Sequence, residues 1–261
     1  MKNSLELRKS NERLFWTRFW KIEKGKNKIN KKYYRYFWNE DYCNQIRKYI
    51  LKVLSDYNNP IILDAGCGSG KASIILGKQL RRVLLDSSDS ALDYAKQLTK
   101  KFKSKNINYI LGDIFSIPFD KKTFDFVWNI GVVEHYNKQE IVKILGEMIR
   151  TTKNGGKIGV GFPNPYSGPI LKAKLLKCWL LRFIPGYRIG TENFYNETTF
   201  LNLINKAFKM EKRKLDSIEI NTLGNPLPIE TPPFLIKTIG RFIGKILPRS
   251  RFITIIICKI K

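Results

Sequence analysis

Between residues 61 and 73 the chain reads IILDAGCGSGKAS, an aspartate followed by glycines at alternate positions: Asp64, then Gly66, Gly68 and Gly70. Glycines at this density free a backbone to approach a bound nucleotide, and amides at the start of a following helix face its polar groups. The letters GSGK invite a phosphate-loop reading. A Walker loop needs glycine, four residues, then Gly-Lys-Ser/Thr. That register puts Ala65 at the first glycine and Ala72 at the magnesium hydroxyl, so two required positions fail. A dinucleotide fingerprint needs Gly-x-Gly-x-x-Gly or Ala. Counted from Gly66 and Gly68, its third small residue is Lys71, which fails as well. A second carboxylate, Asp86, follows Asp64 by 22 residues, where an acidic side chain can accept both hydroxyls of a ribose. The chain has one histidine, His135, and its ordinary pKa suits proton transfer near neutrality.

These side chains must be carried by regular elements. Pro60 to Asp64 is a short apolar strand, and residues 69–80 predict a helix opening directly out of the glycines. Arg82 to Asp86 is a second strand. Ser88 and Ser90 cap a helix that runs through Leu92, Ala95 and Leu98 to about Lys103. Further strands are expected at Ile107–Leu111, Phe124–Asn129 and Lys157–Phe162, with a helix from Glu140 to Thr151 that Asn154-Gly155-Gly156 stops. Upstream, residues 41–57 place Ile46, Ile50, Leu51 and Leu54 at helical spacing. Downstream, a helix over Thr198–Ala207, a strand over Lys209–Ile218 and a terminal strand in FITIIICKI complete the pattern. Strands alternating with helices at this spacing mean a parallel sheet covered on both faces.

With both phosphate options removed, Asp64-x-Gly66-x-Gly68-x-Gly70 at the end of a first strand resembles the class I S-adenosylmethionine-dependent methyltransferases. It is most similar to their ubiquinone/menaquinone-biosynthesis-like small-molecule subgroup. The likeness continues in register through LLDSSDSALDYA (84–95), GDIFSIPF (112–119), FDFVWNIGVVEHY (124–136) and NGGKIGVGFPNP (154–165). It covers roughly residues 38–218, and departs at Leu84, where the family usually has glycine and only a packing effect is expected. The resemblance implies an α/β, doubly wound, Rossmann-like sheet of seven mostly parallel strands, with an antiparallel last strand and helices on both faces. It implies S-adenosyl-L-methionine as cofactor, no metal, and a cofactor site of Asp64, Gly66, Cys67, Gly68, Gly70, Asp86, Ser87, Asp113, Ile114 and Asn129. Asp64 would meet the charged methionine end, directly or through water. Asp86 would take the ribose hydroxyls, Asp113 and the Ile114 amide the adenine, while Asn129 would close the crevice. His135 is the candidate catalytic base, the alternative being a histidine that caps the next helix or holds the loop; Glu134 reads as a structural partner.

Charge is the unusual bulk property. The chain has 48 Lys and Arg against 22 Asp and Glu. From Pro60 to Val160 there are 16 basic and 10 acidic residues, so most of the excess lies in the flanks. A composition rich in Lys, Ile and Asn explains this as well as an anionic partner does. Residues 1–40 read as a basic, aromatic N-terminal extension or lid. Residues 41–261 read as the methyltransferase domain, with lid-like insertions at about 163–195 and 224–250. Within them, residues 233–247 place Leu235, Ile239, Phe242, Ile243 and Ile246 on one helical face, with Lys237, Arg241 and Lys245 spaced by four. Residues 163–190 carry five basic and no acidic residues, with Leu175, Leu176, Trp179, Leu180 and Phe183 among them. Such segments suit a headgroup interface, or else form lids that bury their apolar face and shape an apolar pocket.

Four cysteines (Cys43, Cys67, Cys178, Cys258) stand singly, without the pairs of a zinc site or disulfide framework. No signal-like stretch opens the chain, and its most apolar run, Phe252–Cys258, falls far short of the roughly 18 residues that span a bilayer. The expected protein is soluble and cytoplasmic, with peripheral membrane contact left open. Its acceptor would be a small molecule: a lipid, a quinone-like compound or a lipid-linked saccharide. The alternatives are an RNA methyltransferase using the basic flanks and a non-catalytic cofactor-binding protein. The Asn/Asp-Pro-Pro-aromatic element with which the family's base methylators grip a planar amino group is replaced here by NIGVVEHY, which weighs against RNA. Asn164, after the fifth strand, either faces the acceptor or shapes a turn.

Overall fold

The computed structural model describes residues 14–22, 33–177 and 190–261, with side chains of the second segment described from Glu40 onward. Seven strands form one sheet in the order β3-β2-β1-β4-β5-β7-β6. They are β1 (Ile61–Ala65), β2 (Arg81–Asp86), β3 (Ile107–Leu111), β4 (Phe124–Ile130), β5 (Thr152–Pro163), β6 (Leu215–Leu223) and β7 (Ile253–Ile260). All pairings from β3 through β5 are parallel, and β7 runs antiparallel to both its neighbours. This is the architecture that the sequence resemblance implies.

The period of two along each strand decides which helix layer a residue meets. Leu63, Val127, Ile256 and Cys258 face one layer, built from α5 (Lys138–Thr151) and α7 (Glu197–Met210). Ile62, Phe126, Trp128, Ile255 and Ile257 face the other, where α2 (Tyr33–Val53) supplies Ile46, Tyr49, Ile50 and Val53. The helix α1 spans 14–22, and α4 covers Asp89–Phe102. Its N-cap is Ser88, whose hydroxyl accepts from the Ala91 amide at 3.2 Å. Asn137 and Glu140 form a complete capping box at the start of α5. Because α2 starts at Tyr33, it runs through residue 40, where the expected extension meets the expected domain.

Two sequence expectations are corrected. The helix expected over 69–80 shrinks to α3, Lys71–Ile74. Arg82, fully buried in β2, donates Nη1 to the Ser73 and Ile74 carbonyls, Nη2 to Lys105 O and Nε to Leu80 O. The Ser73 and Ile74 carbonyls are ones that a further helical turn would otherwise have used, and Gly77 then turns the chain at φ 149°. The sixth strand begins at Leu215 instead of Lys209, because α7 continues through Met210. Lys212 adopts a left-handed φ of 52°, and the Arg213 amide returns to Phe208 O, closing that helix before the strand can start.

After β5 the chain forms α6 (Gly168–Leu175). Between β6 and β7 it forms α8 (Pro233–Leu235), a π-helical turn Ile236–Gly240 and α9 (Arg241–Ile246). Trp179, Leu180, Phe183 and Cys178 lie outside the described residues. Among the described residues no helix is long and apolar enough to cross a membrane.

Candidate active site

In an open α/β sheet, ligands bind beyond the carboxyl ends of the strands, where the strand order reverses. Here the reversal lies between β1 and β4, and a cavity of about 400 Å³ opens there. The glycine segment leaves β1 and is tied to the end of β2: the Gly66 and Cys67 amides both donate to Leu85 O, at 2.8 and 2.9 Å. The Gly68 amide donates to Asp86 Oδ2 at 2.7 Å, while the Ser88 amide donates to Oδ1 at 2.9 Å. Asp86 is thus a buried carboxylate held by two backbone amides. Burial pushes its pKa up, and the amides of Ser88, Gly68 and Ser87 oppose that rise.

Of the ten residues expected to hold the cofactor, Gly66, Cys67, Gly68, Asp86, Ser87, Asp113 and Ile114 line this cavity. Asp113 organises its own turn, with Oδ1 accepting from the Phe115 amide at 2.9 Å. His135 lines the cavity too.

Asp64, Gly70 and Asn129 are not among its lining residues. Asp64 turns away to accept from Ser73 Oγ at 2.7 Å, and Trp128 Nε1 donates to the same hydroxyl at 3.2 Å. Burial raises its pKa to about 7; the Ser73 bond opposes this and nearby Asp86 adds to it. That bond ties the end of β1 to α3. Gly70, at φ 63°, packs under Leu84. Asn129 shares the strand face of Val127 because of the period of two. It therefore lies under α5, with Nδ2 at 3.3 Å from Met148 Sδ, while its neighbour Ile130 reaches the cavity. Asn164 also belongs to a turn. Its Nδ2 donates to the carbonyls of Arg249 and Arg251, and its Oδ1 accepts from the Tyr166 amide.

His135 ends a 3₁₀ turn, Val133–His135, between β4 and α5. A strap from residues 191–195 holds that turn. Thr191 Oγ1 lies 2.7 Å from His135 Nδ1, the Asn193 amide donates to Glu134 O at 2.6 Å, and the Tyr195 hydroxyl donates to Tyr136 O at 3.1 Å. Burial lowers the His135 pKa, and the Glu192 carboxylate opposes it. The imidazole is thereby favoured in its neutral form. Glu134 points inward with Oε2 unpartnered among the described residues, and burial raises its pKa to about 8.

The remaining wall is aromatic. From α1, Trp16 meets the His135 ring edge-on with centroids 4.9 Å apart, and Trp20 lies so close to Gly68 that a Cβ there would sit 2.5 Å from its ring. Thr17 Oγ1 reaches Ser88 Oγ at 3.3 Å, anchoring α1 to the cap of α4. Tyr42, Cys43 and Ile46 from α2 and Tyr136 complete the lining, as does Lys71. Burial raises the Cys43 thiol, with Lys71 beside it opposing. The four-residue spacing of Trp16 and Trp20 was the available sequence signal for this wall; nothing in the sequence singled out Tyr42 or Cys43.

The sheet order with its antiparallel β7 is that of the Rossmann-like fold of class I methyltransferases. More particularly, residues 62–156 match the family model described as a methyltransferase domain. An uncharacterized methyltransferase of Schizosaccharomyces pombe is 34% identical over 120 residues, which is 42% of this chain and 41% of that protein. The demethylmenaquinone methyltransferase of Lactococcus lactis is 31% identical over 112 residues, 41% of this chain and 44% of its own length. The chain thus spans less than half the length of these curated relatives. Magnesium protoporphyrin IX methyltransferase from Synechocystis, solved with SAH bound, superposes with a TM-score of 0.63 at 13% identity, covering 97% of this chain and 99% of that one.

The cofactor of this class is S-adenosylmethionine, and the residues present fit it. The cavity lies within the range of small-molecule sites, glycine backbone lies along one side, and a buried carboxylate stands at the end of β2. Asp86 spends two acceptor positions on amides, and a carboxylate has about four, which leaves capacity for vicinal hydroxyls.

Proposed function

We propose that the chain methylates a small, largely apolar acceptor: a lipid, a quinone-like compound or a lipid-linked saccharide. The observation that carries this reading is the aromatic lining of Trp16, Trp20, Tyr42 and Tyr136, with Trp16 edge-on to His135. An apolar wall with one proton-accepting group suits a neutral, poorly hydrated acceptor. The bound cofactor supplies an activated methyl on a sulfonium. The chain's own residues supply position, since in-line alignment is much of the catalytic task. Asp86 binds the ribose hydroxyls, and the Asp113 turn with the Ile114 amide holds the base. Gly66 to Gly68 let backbone pass beneath the cofactor, and α1 excludes water from the acceptor side. His135 takes the acceptor's proton on its imidazole, held in orientation by Thr191.

Two measurements test this. Titration calorimetry of the purified chain with S-adenosylmethionine should show binding that Asp86→Ala weakens at least tenfold; undetectable wild-type binding would overturn the cofactor reading. Incubating a cell extract with the chain and methyl-labelled cofactor should then place label in the organic-extractable fraction. Label in RNA, or in neither fraction, would overturn the acceptor reading.

A further inference from the structure

The helical segment from Pro233 to Ile246 faces the protein with its small side. Ile236 is buried, and Gly240 and Gly244 follow it at intervals of four. A Cβ on Gly240 would lie 2.7 Å from both terminal atoms of Asn225, and one on Gly244 would lie 3.5 Å from Pro226 and 3.3 Å from Arg251. This close approach fixes the helix's rotation. The larger apolar side chains are consequently turned outward: Phe234 and Phe242 are each 65% exposed and Ile246 is 58% exposed, with Ile239 and Leu247 also in solvent. The sequence alone had allowed this face to be buried as a lid.

The same outward arc carries Lys237, Arg241 and Lys245 at intervals of four. Arg241 approaches Asp41 at 3.5 Å but stays largely exposed. From Thr231 to Lys261 there is no acidic residue, in a chain whose net charge is +26. Beside this segment, α6 rests on the same 226–230 stretch, through Gly168 against Pro226 and Lys172 paired with Glu230 at 2.8 Å. It adds the exposed side chains of Leu171 and Leu175.

We propose that this face, α8 through α9 with α6 beside it, docks on an anionic lipid bilayer. Exposed Phe, Ile and Leu next to a basic row are the chemistry of a helix lying in the headgroup plane: apolar side chains enter the acyl boundary, and ammonium and guanidinium groups meet phosphates. Nucleic acid shares the charge preference and would find stacking faces in Phe234 and Phe242, but the exposed aliphatic side chains of Ile239, Ile246, Leu247, Leu171 and Leu175 match acyl chains and have no counterpart in it. The docking is inferred from this surface alone and stands apart from the methyl-transfer reading.

Co-sedimentation of the full chain with vesicles at matched salt tests it. Vesicles containing phosphatidylglycerol should retain the protein, and pure phosphatidylcholine vesicles should retain at least tenfold less. Phe242→Ser combined with Ile246→Ser should weaken binding at least tenfold with unchanged melting temperature and unchanged S-adenosylmethionine binding. Lys237→Glu with Lys245→Glu, on exposed positions, should do the same and provides a second route should the apolar variant unfold. No retention on anionic vesicles would overturn the proposal, as would retention that neither variant reduces. Dimerisation of the wild type that Phe242→Ser with Ile246→Ser abolishes would instead make the face a contact between copies and overturn it too.

Discussion

A Cβ on Gly70 would lie 2.6 Å from Leu84 Cδ1, so these two residues share one space. The third glycine of the run is what accommodates the leucine. Gly70 also holds a left-handed φ of 63°. Gly70→Ala therefore meets both a clash and an unfavourable backbone, and should destabilise by about 2–4 kcal/mol. Leu84→Ala should cost a similar amount by leaving a cavity. In urea melts the double variant should be less destabilised than the sum of the two, with a coupling of about 1 kcal/mol or more. Strict additivity would show that the two side chains do not compete for the same volume.

Asp64 and Glu134 give the stability a definite pH dependence. Each carboxyl keeps its proton in the folded protein to about pH 7 and about pH 8 respectively, because each is buried. In the unfolded chain both lose it near pH 4. Between these limits the folded state binds more protons than the unfolded state, so stability falls as pH rises, by up to about 1.4 kcal/mol per unit and group. The cofactor-free protein should be more stable at pH 5 than at pH 8. Asp64→Asn should flatten the fall below pH 7, and Glu134→Gln should flatten it up to pH 8. A stability that rises over this interval in the wild type would refute the protonated assignment of both groups.

Arg82 joins the end of α3, the following loop and the turn before β3 through bonds to four carbonyls, while being fully buried. Burial pulls its pKa down to about 10, which still leaves it charged at neutrality. Arg82→Met keeps volume but strands those carbonyls. At about 1–3 kcal/mol for each buried group left unsatisfied, with water relieving some of them, a loss of about 3–5 kcal/mol is expected in denaturant unfolding. Hydrogen exchange should locate the loosening at residues 73–80 and 105–106. A loss under 1 kcal/mol would mean that water substitutes for the guanidinium throughout.

These relationships explain which parts of the molecule could be read from sequence. The strand sequence β1 to β5 and the glycine-bearing crevice were legible because apolar runs and turn residues report local backbone preference directly. The place of Asp86 at the end of β2 was legible because its spacing from Asp64 follows from one βαβ unit. Asn129 was not, since whether a strand-end residue faces cavity or helix depends on the register of its period of two, and Ile130 took the cavity side. The early end of α3 required knowing that Arg82 folds back upon it, a contact between elements. Trp16 reaches His135 across more than a hundred residues, and no local pattern encodes that meeting. The outward rotation of α8 and α9 likewise follows from Gly240 and Gly244 finding Asn225 and Pro226.

His135 offers the sharpest kinetic test. Its imidazole lines the cavity, lies 2.7 Å from Thr191 Oγ1 through Nδ1, and is held below its ordinary pKa by burial, with Glu192 opposing. As a general base it works when neutral. The rate of methyl transfer to the organic-extractable acceptor should therefore rise with pH through an apparent pKa below 6.5 and be level by neutrality. Glu192→Gln removes the opposing charge and should move that limb to still lower pH. His135→Ala should reduce turnover by about 10²–10⁴-fold while leaving the affinity for S-adenosylmethionine within twofold. His135→Asn, which fills much of the same space and can still reach Thr191, should fail to restore the rate if proton transfer is the role. Near-normal turnover in His135→Asn would instead make this residue a support for the 3₁₀ turn, and the base would have to be sought elsewhere in the aromatic wall.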